Sequence, residues 1–273
     1  MCGFVGFMGG ITSHGEVGDE AMLKRMADKI IYRGPDDAGY WWDVNDRIGF
    51  GHRRLSVVDL STAGNQPMQS TSGRYMIAFN GEIYNHHLLR LSLGEHYNSN
   101  LHPKGEVLNP SWRGHSDTET LLAGFDAWGI QGTIERTIGM FAFAVWDRQT
   151  SSLTLGRDRL GEKPLYYGWQ GLGNDAVFLF GSELKALRVH PAFISTINRG
   201  ALSLQLRHNC IPAPYTIYEG IAKLLPGSLL TVSLQHREPK IWQYWSGAQV
   251  AESNVVHTFA GSAEQAVDEL EVL

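Results

Sequence analysis

Short strand-like runs follow one another along most of this chain, and the helical patterns fall in groups between them rather than alternating one for one. Phe4–Met8 comes first and is closed by a Gly9-Gly10 turn; Gly39–Trp42, Ile48–His52 and Tyr75–Phe79 follow, each bounded by turn residues. Gly139 to Trp146 is a nearly continuous apolar strand, and Leu153–Arg157, Pro164–Trp169 and Ala176–Ser182 fit the same pattern. The signal weakens from about Pro191, with proline-bearing loops near Ile211–Pro214, and returns at Ser228–Leu234 and Ile241–Trp245. Such an order points to an α+β layered domain, not to repeated βαβ units.

Four stretches read as helical. Met22, Leu23, Met26, Ala27 and Ile30 recur at helical spacing over roughly Asp19–Ile31, with Asp19 as the cap and the Tyr32–Asp37 turn as the stop. Ser116-Asp117-Thr118-Glu119 is a capping box for a helix carrying Leu121, Leu122, Phe125 and Trp128 on one face; Gly129 closes it, and a short helix over Ile130–Ile138 follows. Before that box, Leu91 to Gly114 reads as a long irregular loop. The composition turns small and polar after Trp245, and Ser262 with Gln265 caps a last amphipathic segment bearing Val267, Leu270 and Leu273.

Composition excludes several classes. A net charge of −5 with no basic run gives no nucleic-acid footprint, and no apolar stretch is long enough to span a bilayer. With two cysteines, Cys2 and Cys210, the chain is no disulfide scaffold; a reducing compartment and a cytoplasmic location are expected. None of the histidines has metal-site spacing, so no metal is expected, and His52, His86 and His87 read as surface or core histidines.

Chemistry gathers at a few points. Cys2 heads the first strand; a small residue there permits removal of Met1, which would leave the thiol beside its own α-amine, with a pKa of about 7.7–8.0. That amine can take the thiol proton as sulfur attacks a carbonyl, while the plainer reading is a small buried residue that starts a strand. Arg54 ends a strand and suits bidentate capture of a carboxylate, or a surface ion pair. Asn80-Gly81 is a turn signal that also offers an amide and a glycine N–H together, the donor set of an oxyanion hole. Asp117 lies at a capped helix start, favoured there by the helix dipole and available to a ligand ammonium. The charged runs Arg157–Tyr167 and Ser182–Leu187 read as turns and solvated faces without direct chemistry.

In order along the chain stand Met1-Cys2-Gly3, Arg33-Gly34-Pro35-Asp36, Arg54-Leu55-Ser56-Val57-Val58-Asp59, Asn80-Gly81-Glu82-Ile83-Tyr84-Asn85, Ser116–Glu119, Gly139–Phe143 and Arg157–Tyr167. Together they resemble the glutaminase domain of class II glutamine amidotransferases of the asparagine synthetase B type, over roughly residues 1–245. The resemblance implies an Ntn-hydrolase four-layer αββα sandwich with two antiparallel sheets. It implies Cys2 as nucleophile with its α-amine as base, Asn80 and the Gly81 N–H as oxyanion hole, and no cofactor for this domain. The glutamine pocket carried over is Arg54 for the α-carboxylate, Leu55, Ser56, Val57, Val58, Asn80, Gly81, Glu82 and Asp117 for the α-ammonium, with Glu82 either touching ligand or shaping the turn.

It further implies a domain at 1–246, then a linker and helix start at 247–273 leading to an ATP- and magnesium-using synthetase domain; the Ser-Gly-Gly-x-Asp-Ser loop of such a domain does not occur here. L-glutamine and that synthetase domain are the implied partners, and a homodimer is compatible with the resemblance. Asparagine formation from aspartate is the default reaction. The long Leu91–Gly114 segment and Pro212–Tyr218 resemble proteins of surface-polysaccharide pathways, whose acceptor would be a sugar carboxylate. A glutamine-sensing module without turnover is the alternative of another class.

Overall fold

The computed structural model describes residues 2–10, 15–57, 59–101, 112–256 and 259–272. Its strands are β1 (Gly3–Gly9), β2 (Asp37–Asp43), β3 (Ile48–Arg54), β4 (Met68–Gln69), β5 (Tyr75–Ile83), β6 (Gly139–Asp147), β7 (Ser152–Arg157), β8 (Tyr166–Gln170), β9 (Val177–Gly181), β10 (Ala222–Lys223), β11 (Ser228–Val232) and β12 (Lys240–Gln243). The helices are α1 (Gly15–Asp28), α2 (His86–Leu101), α3 (Asp117–Arg136), α4 (Leu184–Leu187), α5 (Arg199–His208), α6 (Gly247–Val256) and α7 (Ala263–Val272). Two six-stranded sheets result, ordered β10-β8-β9-β1-β3-β2 and β12-β11-β7-β6-β5-β4, and the strand pairings in them are antiparallel.

Strand periodicity sorts the side chains into layers. On β1 and β3, Phe4, Met8, Ile48 and Phe50 point toward the other sheet and meet Met76, Ala78, Ala142, Ala144 and Trp146. The alanines of β5 and β6 leave room for the rings opposite, so the two sheets pack closely. The intervening residues point outward. Val5 and Phe7 take Leu23, Met26 and Ala27 of α1 and Ile30 just after it, whereas Ile77, Phe79, Phe143 and Val145 take Leu121, Leu122 and Phe125 of α3. Helix, sheet, sheet, helix is therefore the order of layers expected from the sequence.

Several local expectations change. The first helix begins at Gly15, and Asp19 is buried inside it rather than capping it; the residues before Met22 carry no apolar repeat by which the sequence could show that extra turn. The stretch from Leu91 is helical through Leu101, since α2 starts at His86 and buries Leu89 and Leu93. Packing outweighs its poor helix formers; residues 102–111 lie outside the described residues. Helix α5, unforeseen, is capped by Asn198, whose Oδ1 accepts from Ala201 N at 2.9 Å, and stops at Asn209 in the left-handed region. Gly129 breaks α3 at φ 73°, as expected. At Ser116 the capping box is half formed: Ser116 Oγ accepts from Glu119 N at 3.1 Å, but the Glu119 carboxylate accepts from Arg113 N and Gly114 N. The Ser262–Gln265 box forms both bonds, and Val267 and Leu270 of α7 are exposed; Leu273 lies outside the described residues. No helix among the described residues is long and apolar enough to cross a membrane.

Candidate active site

At one end of the interface between the sheets the apolar alternation gives way to polar residues on the same inward face. Phe4 is preceded two residues back by Cys2; Ile48 and Phe50 are followed by His52 and Arg54; Met76 and Ala78 are followed by Asn80 and Glu82. A small cleft of about 180 Å³ opens there, lined by Cys2, Arg54, Leu55, Asn80, Gly81 and Asp117 among others.

Cys2 Sγ lies against the backbone of one residue, Leu55, just after β3. Leu55 N donates to the sulfur at 3.3 Å, and the thiol donates to Leu55 O at 3.5 Å. Burial pushes the thiol pKa up, while the Leu55 N–H and the Arg54 charge pull the other way. Arg33 Nη1 donates to the Cys2 carbonyl at 3.4 Å, and its Nε is paired with Glu183.

Arg54 is held by the turn it precedes. Its Nη1 donates to Ser61 O at 3.0 Å and to Asn65 Oδ1 at 2.5 Å, and Nη2 donates to Asp59 O. These bonds use three of the five guanidinium N–H groups; Nε and one Nη2 hydrogen remain for a carboxylate. Asp59 fixes the turn, accepting from Ser61 Oγ at 2.6 Å and His115 N at 3.0 Å, bonds that hold its pKa down.

Asn80 and Gly81 do not form the turn their sequence suggests. Both lie within β5, opposite Ala142 and Phe141 of β6. A Cβ on Gly81 would sit 2.2 Å from Met140 O and 2.7 Å from Phe141 Cα, so glycine is required by the neighbouring strand and not by a turn. Phe141 directs its N–H and C=O to Asp158, away from β5, at 3.2 and 2.8 Å. Gly81 is thus one of a non-hydrogen-bonded pair, and its N–H points away from β6. Phe79 and Ile83 share that edge, and side chains satisfy them: Phe79 N donates to Gln66 Oε1 at 2.6 Å and Ile83 N to Asp117 Oδ2 at 2.9 Å. Between them the Gly81 N–H faces the cleft. The Asn80 side chain is buried, and its Nδ2 has no hydrogen-bond partner.

Asp117 opens α3 and is 6% exposed. Burial raises its pKa; the Ile83 N–H opposes this, and nearby Glu82 adds to it. A buried carboxylate of this kind gains most from an incoming cation.

The structure thus brings together Cys2, Arg54, Leu55, Val57, Asn80, Gly81, Glu82 and Asp117 as cleft-lining residues. Ser56 is not in that lining; its N–H donates to Asp36 Oδ2 at 2.8 Å, and Val58 lies outside the described residues. The Arg157–Tyr167 run is no solvated face throughout. Asp158 accepts from the N–H groups of Leu160, Glu162 and Lys163 at 2.9–3.1 Å, and the loop so folded carries buried Lys163 into the cleft wall. Gln66, His52 and Arg33 were assigned no role from sequence. The period-two inward face of β3 is a usable signal for His52, and Arg33 stands in the Arg33–Asp36 motif without a role of its own, but nothing local marks Gln66.

Residues 1–245 match a family model described as a glutamine amidotransferase domain. The chain is 36% identical over 249 residues to asparagine synthetase [glutamine-hydrolyzing] 3 of Bacillus subtilis, covering 90% of this chain and 37% of that protein. It is 32% identical to a putative asparagine synthetase [glutamine-hydrolyzing] 2 of Methanocaldococcus jannaschii, covering 90% of this chain and 46% of that one. The chain therefore spans less than half the length of these curated relatives. Among solved structures, glutamine phosphoribosylpyrophosphate amidotransferase from Bacillus subtilis superposes with a TM-score of 0.59 at 16% identity, over 90% of this chain and 50% of that one, a likeness of fold. Two antiparallel sheets between helical layers, ending in this cleft, are thus the Ntn-type architecture, and the chain belongs to the family of glutamine amidotransferase domains.

Proposed function

We propose that this domain hydrolyses L-glutamine to glutamate and ammonia through a thioester on Cys2. One observation carries the reading: a buried Asn80 amide with an unpartnered Nδ2 and the unpaired edge of β5 at Gly81 line the same cleft as a thiol. A buried donor without an acceptor costs free energy and calls for a ligand that supplies one.

Glutamine enters with its α-carboxylate on the free N–H groups of Arg54 and its α-ammonium on Asp117. With Met1 removed, the Cys2 α-amine takes the thiol proton as sulfur adds to the side-chain amide carbon. The carbonyl oxygen becomes an oxyanion that accepts from Asn80 Nδ2 and Gly81 N, contacts that strengthen as charge develops. The intermediate collapses to the thioester, and the amine proton leaves on the departing NH3. Water then adds to the thioester, the same donors hold the second oxyanion, and glutamate leaves as the thiol is restored. Since burial raises the thiol pKa, the resting sulfur is protonated and a base is needed for each turnover.

A pure glutamine sensor has no need of a thiol held between the N–H and C=O of Leu55. The names of the curated relatives, glutamine-hydrolysing asparagine synthetases, support use of the ammonia in asparagine formation; residues 247–273 leading to a synthetase domain that uses ATP and magnesium, aspartate as acceptor and a cytoplasmic setting belong to the same proposal. The decisive test is incubation with a diazo-ketone analogue of glutamine, followed by mass spectrometry of the mature N-terminal peptide. A single adduct on Cys2, with glutamate release abolished, is expected. An unmodified Cys2 alongside undiminished glutaminase activity would overturn the assignment.

A further inference from the structure

Strand β4 pairs with β5 at only two positions, Met68 with Ile77 and Gln69 with Met76. Continuing that register by two residues would bring Gln66 opposite Phe79, where a backbone peptide would normally complete the ladder. Instead the Gln66 side-chain amide takes its place. Its Oε1 accepts from Phe79 N at 2.6 Å, and its Nε2 donates to Thr118 Oγ1 at 3.2 Å, next to Asp117. The other polar atom of Phe79 goes to a different element: His52 Nε2 donates to Phe79 O at 3.0 Å, across the gap between the sheets. Gln66 is 8% and His52 0% exposed, so water does not compete for either bond.

Substituting side chains for a strand has a consequence. A backbone neighbour continued past Phe79 would run alongside Gly81 and take up its N–H; an amide and an imidazole satisfy Phe79 and stop there. We propose that Gln66 and His52 are positioning residues that clamp Phe79 on both of its polar atoms, and so hold the Asn80 amide and the Gly81 N–H in register with the Cys2 sulfur. The carbonyl held by His52 belongs to the peptide whose nitrogen is that of Asn80, so its tilt sets the direction of the Asn80 backbone. His52 also sits on β3 two residues before Arg54 and opposite Phe4 of β1, on the strands that carry Leu55 and Cys2. The clamp therefore ties the nucleophile's sheet to the oxyanion strand. Gln66, through Thr118, adds the start of α3 and with it Asp117. Burial keeps the imidazole neutral, its pKa lowered to about 4, so the Nε2 proton is available for the carbonyl over the working range.

This inference rests on the glutaminase reading and is tested after it: a wild-type protein that releases no glutamate sinks that reading before any variant is made. His52→Phe keeps an aromatic ring and removes the donor; His52→Gln restores an N–H donor; Gln66→Met removes both bonds, and Gln66→Glu keeps an acceptor for Phe79 N and reverses the Thr118 bond, whose hydroxyl then donates. For each, kcat and KM for glutamine, the inhibition constant of glutamate, and the rate of Cys2 alkylation by iodoacetamide are measured. Alkylation by iodoacetamide forms no tetrahedral oxyanion, so it reports the thiol without the hole. His52→Phe and Gln66→Met should lower kcat by about tenfold to a hundredfold, the scale of an ångström-level misplacement. Alkylation and glutamate binding should change less than about threefold, and His52→Gln and Gln66→Glu should recover most of the loss. An unchanged kcat would overturn the proposal. So would parallel loss of turnover, alkylation and glutamate binding in the milder Gln66→Glu and His52→Gln variants, since that marks general damage to the fold.

Discussion

Replacing Asn80 with leucine should separate stability from turnover in opposite directions. Leucine has nearly the shape of asparagine and no polar atoms. Asn80 is 1% exposed, and its Nδ2 has no hydrogen-bond partner within the protein. A buried polar group left unsatisfied costs about 1–3 kcal/mol, and replacing it with an apolar group of the same shape removes that cost. In a chain of this size each kcal/mol moves Tm by roughly 2–4 °C, so Asn80→Leu should melt several degrees above wild type. On the proposed mechanism the same change deletes an oxyanion donor, a loss that should cost about 2.7–4 kcal/mol, or roughly 10²–10³ in kcat. KM and the inhibition constant of glutamate should stay within about threefold, because neither ground state carries the oxyanion. Differential scanning fluorimetry and a coupled assay of glutamate release read the two effects on one preparation. A lower Tm would show that Asn80 is satisfied in the resting fold. A kcat reduced by less than about tenfold would remove it from the oxyanion hole.

Asp117→Asn keeps an acceptor for Ile83 N but removes the charge; it should cost about 2–5 kcal/mol in kcat/KM for glutamine and narrow the disadvantage of glutaramate, which lacks the α-amine. Unchanged glutamine kinetics would show that Asp117 does not meet the ammonium. Burial raises the Asp117 pKa, and an ammonium needs the ionised form, so glutamate inhibition in wild type should weaken as pH falls through that raised pKa, and in Asp117→Asn this pH dependence should vanish. The sign for folding is the reverse. A raised carboxylate pKa favours the folded state at low pH and penalises it once ionised, so urea midpoints should show Asp117→Asn gaining on wild type as pH rises. Gly81→Ala drives a methyl into Met140 O and Phe141 Cα, and should lower stability by about 1–3 kcal/mol and abolish measurable turnover; a fully active variant would show that the strands part without consequence.

How much of this was legible in the sequence depends on the distance over which each signal acts. Strand runs, the Ser116 cap and the Gly129 break are set by near neighbours, and the structure keeps all of them. The residues of the cleft that the motif order named do converge, apart from Ser56, whose N–H is turned to Asp36, and Val58 outside the described residues. Misreadings arose where tertiary contacts outvote local chemistry. Asn-Gly reads as a turn from composition, yet a nine-residue ladder with β6 holds it extended. The residues from Leu91 look irregular, yet buried Leu89 and Leu93 hold a helix through Leu101. Gln66 and Arg33 act on backbone atoms 13 and 31 positions away, a relation that no spacing in the chain encodes.

The cleft exists because one strand is left unpaired at one residue. Along the open edge of β5, Phe79, Gly81 and Ile83 each present an N–H, and an unpaired edge invites another strand. Gln66 closes the first and Asp117 the third, so the opening is narrowed to a single donor that no strand can follow. The inward face of the same strand changes from Ala78 to Asn80 at the same level, and across the gap β1 and β3 change from Phe4 to Cys2 and from Phe50 to His52 and Arg54. Polar groups therefore replace core side chains where the sheets stop needing each other for burial, so the site adds few unsatisfied groups to the core beyond Asn80 and His52. On the proposed mechanism this limits redesign: Asn80, offered as a donor to the oxyanion, is also the group whose apolar replacement should stabilise the fold, so selection for thermal stability alone should remove Asn80 before it touches Phe4 or Phe50.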